Sequence, residues 1–162
     1  MENIWAPWRM KYINKEHKDY GKCIFCEKLA DDKDSENLIL HRAKFSFIIM
    51  NLYPYISGHL MVLPNKHTSD FISLTENESI EINAMLKKSI KALEKAISPH
   101  AFNIGLNLGR QAGAGIAEHI HWHIVPRWEA DTNFMPIIND ARIVPQSLED
   151  TYQLLKKAFD DG

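Results

Sequence analysis

The sequence predicts an α+β fold: an antiparallel sheet of about five strands, with one long helix and a C-terminal helix. Three observations carry this. Strand-like runs follow one another with turns between them, an order that favours an antiparallel sheet over a doubly wound one. One long segment, beginning at Thr75, has helical periodicity. The stretch Glu118-His-Ile-His-Trp-His-Ile-Val-Pro126 alternates imidazoles with apolar residues, as a strand between two unlike environments does.

In chain order, residues 1–22 carry Trp5, Trp8, Arg9 and Tyr12 without periodicity and read as an arm that packs on the body or on a partner subunit. Residues 30–37 are polar and read as a solvated loop. Leu38–His41, Phe45–Met50 and His59–Leu63 read as strands, with a Pro- and Gly-containing turn over 52–58. Thr75 and Glu78 form a capping box, and Ile82, Leu86, Ile90, Leu93 and Ile97 follow at helical spacing up to Pro99. Ala101–Leu108 reads as a strand, and Gly109–Gly115 as a flexible loop. The histidine strand comes next. Pro126 ends its ladder, and the long helix covers its apolar face while the imidazoles line an open cleft. Residues 147–160 read as a helix with Leu148, Tyr152, Leu155 and Phe159 on one side.

The 162 residues, 45% hydrophobic and 25% charged, suit one domain with an ordered extension. A net charge of -2 points to neither a nucleic-acid surface nor an anionic membrane. No apolar run reaches the length of a membrane span, and the N-terminus does not read as a signal peptide, so the expected compartment is the cytoplasm. There Cys23 and Cys26 would not form a structural disulfide.

Three imidazoles on one strand face point to chemistry. If His121 is a nucleophile, one ring nitrogen attacks phosphorus while the other is held as N–H by an acceptor. His123 and His59 would then donate to the phosphate oxygens, and the glycine-rich loop would offer backbone N–H groups. Three histidines can also hold a catalytic zinc, or be satisfied core residues. Cys23, Cys26, His67 and His119 make a second set, suited to a closed tetrahedral structural zinc site. A redox role for Cys-x-x-Cys is the rival. It would want a preceding strand and a helix beginning at the motif, and neither is legible.

His119-Ile-His-Trp-His-Ile-Val125 resembles the signature of the histidine triad (HIT) family, and Asn51 eight residues before His59 is similar to the family's nucleotide-binding strand pair. Trp5-Ala-Pro-Trp-Arg9, Gly113–His119 and Pro126–Met135 resemble the microbial branch that includes diadenosine tetraphosphate phosphorylases. The resemblance implies a HIT domain over residues 23–128, between an N-terminal arm, 1–22, and a C-terminal extension, 129–162. It implies His121 as the nucleophile, His59 and His123 bracketing the phosphate, Asn51 at the ribose hydroxyls, and Asn107 and Gly115 at the phosphate. It also implies zinc on Cys23, Cys26, His67 and His119, and a homodimer. Phe45, with Phe47 and Ile48, supplies either a nucleobase wall or the sheet interior, depending on register. Where many members carry Gln or Ser before the first triad histidine, this chain has Gly115, Ile116 and Ala117, so contacts to the leaving group fall to Arg110, Gln111 or Glu118. The implied reaction is phosphorolysis of diadenosine tetraphosphate to ADP and ATP. Hydrolysis of dinucleoside polyphosphates, cleavage of nucleoside phosphoramidates and a nucleotide-binding regulator are the alternatives.

Overall fold

The computed structural model describes residues 23–129, 131 and 146–161. In chain order they form α1 (Ile24–Ala30), α2 (Asp34–Asn37), β1 (Ile39–Arg42), β2 (Ser46–Met50), β3 (Leu60–Pro64), α3 (Glu76–Ile97), β4 (Ala101–Leu106), a 3-10 turn (Arg110–Ala112), β5 (Trp122–Arg127) and α4 (Leu148–Asp160). The five strands make one sheet in the order β1-β2-β3-β5-β4, each neighbour antiparallel. The expected fold class is therefore the observed one. The arm, 1–22, lies outside the described residues, as does most of 129–145.

The strand period divides the core in two. One face of the sheet (Leu40, Ile48, Met50, Leu60, Val62 and Ile124) packs against Ile82, Ala92 and Leu93 of α3 and Tyr152, Leu155 and Phe159 of α4. Trp122 packs against this cluster, as its place on the apolar face required. The opposite face gathers Ile39, Phe47, Ile49, Met61 and Leu63 under Phe25 of α1. The capping box closes as read. Glu78 N–H donates to Thr75 Oγ1, and the Glu78 carboxylate accepts from Thr75 N–H at 2.7 Å. No helix among the described residues is long and apolar enough to cross a membrane.

Four expectations need correcting. Part of the 30–37 loop is a helical turn, α2. Leu38, at φ 62°, caps it through its N–H, and the Arg42 guanidinium ties its Asp34 to the carbonyls of Leu29 and Asp31. The histidine strand begins at Trp122, so of the three triad histidines only His123 is in the ladder. The segment before it is tied elsewhere: Ile120 N–H donates to the Thr68 carbonyl at 2.8 Å. Pro126 does not end the ladder but pairs with Phe102, at a point where β3 has already left β5 and no second neighbour needs its missing N–H. Finally, a helix does begin at the Cys-x-x-Cys motif, with Cys23 as its N-cap residue.

Candidate active site and metal centre

The site lies on the sheet face away from α3. There Met61, His123 and Gly105 are paired across β3, β5 and β4 and so project together. His59 immediately precedes β3, and Asn51 immediately follows β2. The backbone of Asn51 bonds to the carbonyl of His59 at 2.9 Å.

Hydrogen bonds assign the tautomers of the site one by one. The Nδ1–H of His121 donates to the His119 carbonyl at 2.9 Å, which leaves Nε2 with its lone pair and without a hydrogen-bond partner among the described residues. His59 Nδ1 accepts from Tyr55 N–H at 3.2 Å and lies 3.3 Å from Asn51 Nδ2. Its Nε2–H therefore donates to His123 Nδ1 at 2.9 Å, which puts the single N–H of a neutral His123 at Nε2. Tyr55 stacks on His59 with ring centroids 4.7 Å apart, and the rings of His121 and His123 are 4.9 Å apart and nearly perpendicular.

Burial sets the charge of these rings. Desolvation, with His121 nearby, pushes His123 down to about 4. Burial also lowers His121, although the His119 carbonyl and Glu118 pull the other way. Both imidazoles are thus neutral at pH 7. The open cleft expected around the imidazoles is not what the structure has at His121, which is 5% exposed. Phe25, inside the Cys-x-x-Cys motif, lies 5.4 Å from its ring and 5.6 Å from that of His119. The cover comes from α1, and His123 stays only half-buried.

The metal set is four residues brought together by three different segments. Cys23 and Cys26 come from the start of α1, His67 from the loop after β3 and His119 from the segment before β5. One ligand atom from each lies within 4.8 Å of all the others. His119 Nε2–H donates to the Pro64 carbonyl at 2.9 Å, which turns Nδ1 toward Cys23 Sγ at 3.4 Å and Cys26 Sγ at 3.6 Å. His67 Nδ1 lies 3.4 Å from Cys26 Sγ. Burial and the neighbouring Cys23 push the Cys26 thiol up to about 11. Two sulfurs and two imidazole nitrogens converging this closely can bind a metal, which would supply the positive charge that the second thiolate needs. A thiol raised in this way is the reverse of an activated redox cysteine.

The other candidate residues separate. Asn107 follows β4 by one residue, on the same face as Gly105, and is half-buried. Gly115 is half-buried in the preceding loop. Arg110 and Gln111 are exposed on the 3-10 turn, and Glu118 is exposed before His119. Phe45 lies near Asn65, at the opposite end of β2 from Asn51, roughly 20 Å along the strand. It carries Lys44 Nζ 4.9 Å from its ring centroid, and its N–H donates to Glu81. Sequence reasoning overlooked Tyr55, Phe25 and Ile49; Ile49 lies two residues before Asn51 and so on its face. The strand period alone could have found Ile49.

Residues 32–130 match the HIT domain. The chain belongs to the HIT family. Over 161 residues it is 38% identical to the AP-4-A phosphorylase of Mycobacterium tuberculosis, covering 96% of this chain and 83% of that one. It is 34% identical over 93 residues to the asymmetrical bis(5'-nucleosyl)-tetraphosphatase of Schizosaccharomyces pombe, covering 57% of this chain and half of that one. Its fold is that of a Zn-bound histidine triad family protein from Mycobacterium smegmatis, with a TM-score of 0.70 at 22% identity, covering 87% of this chain and 95% of that one. With enzymes as its named relatives and the histidine constellation intact, the chain is a HIT-family enzyme.

Proposed function

We propose that this chain moves an adenylyl group from diadenosine tetraphosphate through His121 to inorganic phosphate. The observation that carries the reading is the pinned tautomer of His121, a neutral ring with Nδ1–H committed to a backbone carbonyl and Nε2 left available. The name of the Mycobacterium tuberculosis relative supports the substrate and the acceptor.

In the first step, Nε2 of His121 forms a bond to the α-phosphorus. The bond from that phosphorus to the bridging oxygen breaks, and ATP departs with the bond's electrons. The Nε2–H of His123, oriented by His59, donates to the phosphate oxygens where charge accumulates. In the second step a phosphate oxygen attacks the same phosphorus, the nitrogen–phosphorus bond breaks, and ADP leaves. Asn51 contacts the ribose, while Asn107 and Gly115 lie beside the phosphate. Phe45 is too far along β2 from Asn51 to line the same nucleoside, so Ile49 and Tyr55 take over the nucleobase wall.

Zinc is our assignment for the metal, on the chemistry of a two-thiolate, two-imidazole set. Bound there, it would cross-link α1 to the base of β5. We further read 23–128 as the catalytic domain, flanked by an arm and an extension. We read the assembly as a homodimer across the outer edge of β4, which has one strand neighbour and exposes Ile104. Cys23 and Cys26, without a disulfide between them, suit the cytoplasm. The test is product analysis with diadenosine tetraphosphate, with and without inorganic phosphate. ADP with ATP, dependent on phosphate, supports the proposal. AMP with ATP makes the enzyme a hydrolase, and binding without any product makes the protein a regulator.

A further inference from the structure

Gly105 is a glycine without a backbone reason. Its φ is not positive, and a Cβ built there meets nothing within 4 Å. It sits inside β4, where glycine weakens a strand and where any β-branched residue would fit the extended backbone. Its register partner is His123, so a side chain at 105 would stand beside that imidazole on the same face, with Cβ atoms about 4.5–5.5 Å apart. A bare position in an unbulged strand marks a place where a ligand or another backbone comes close.

The sheet order says what that is. Asn51 after β2 and His59 before β3 share one face with His123 on β5 and Gly105 on β4, one two-residue step along from the row Ile49, Met61, His123 and Gly105. Phe25 closes the approach to His121 from the α1 side. On the reading proposed above, the transferred nucleoside occupies the Asn51 end, and the reacting phosphorus lies at His121 and His123. In-line displacement sends the leaving oxygen away from the nucleophile. The part of this face still open is β4, where Asn103 is held by Arg127 at 3.2 Å and Gly105 is bare. We infer that Gly105 is a specificity-determining residue: its missing side chain leaves a channel beside His123 over which the polyphosphate chain of the leaving nucleotide passes.

This inference rests on the proposed reading, and one comparison separates the two. Gly105→Val and Gly105→Ala are assayed in the full chain with two substrates that deliver the same adenylyl group. Diadenosine tetraphosphate has a long anionic leaving group, and adenosine 5′-phosphoramidate releases only ammonia. Melting temperature and metal content are measured alongside; metal content should match wild type and the melting temperature should match or exceed it, because nothing in the structure is displaced and glycine is the weaker strand residue. Gly105→Val should lower kcat/KM for the tetraphosphate at least tenfold while changing that for the phosphoramidate less than twofold. Gly105→Ala should do the same to a smaller degree, which keeps the test decisive if the valine variant folds poorly. Equal losses on both substrates, or no loss on either, overturn the channel and leave the nucleotidyl transfer standing. Wild-type protein that converts neither substrate overturns the transfer reading and the channel with it.

Discussion

Removing the metal should lower the melting temperature of this protein by about 8–16 °C. The number follows from the chain separations that the site spans. Cys26 and His67 are 41 positions apart, and Cys23 and His119 are 96 apart. Cross-linking a loop of about 40 residues removes denatured-state entropy worth about 4 kcal/mol in the chain-entropy model. A chain of 162 residues moves about 2–4 °C per kcal/mol. Only the shorter loop is counted, so the range describes a single closure. The assay is calorimetry of the metal-loaded protein before and after exhaustive chelation, with metal content measured in each sample, and of Cys26→Ser. Both treatments should shift the transition in the same direction by similar amounts. A melting temperature that stays put while the metal is demonstrably gone would refute the argument, since the three segments would then be held together by packing alone.

His121→Ala should abolish turnover by roughly 10⁴-fold or more, the scale for losing a nucleophile, while nucleotide binding and the melting curve persist; unchanged turnover removes its proposed role. Burial holds His123 at about 4, against an ordinary value of 6.5 in the unfolded chain. Between those values the unfolded state binds the extra proton, so stability should be complete above pH 6.5 and fall as pH drops toward 4, with His121 contributing in the same direction. Urea unfolding of the chelated protein at pH 7 and pH 4.5 measures this, and a flat profile contradicts it. Tyr152 donates its hydroxyl to the Ile39 carbonyl at 3.0 Å from a position 5% exposed, so Tyr152→Phe should cost about 1–3 kcal/mol in denaturant unfolding, with turnover intact.

The parts of the fold visible in the sequence were those written in periodicity and capping chemistry. The α3 capping box, the apolar stripe of α4 and the short continuous apolar runs of β2 and β3 each specify a local geometry that tertiary contacts merely accept. The metal set was legible because its residue types have few other uses in combination. The cover over His121 was not. Phe25 reads as an ordinary apolar residue between two cysteines, and only the docking of α1 puts it against the rings. The start of β5 was hidden for a related reason. His119 and Ile120 have the strand pattern, but their polar groups are taken by Pro64 and Thr68, two residues more than 50 positions away. The place of Phe45 depended on how far β2 extends from Asn51, which alternation does not reveal.

His119 answers to both halves of the site. Its ring faces the sulfurs and is braced by the end of β3, while its carbonyl, two residues upstream of the reacting nitrogen, decides which side of the His121 imidazole keeps its proton. On the proposed reading, damage at the thiols would reach the chemistry through the backbone of a single residue. Metal loading and catalytic competence would then be one property measured at two addresses.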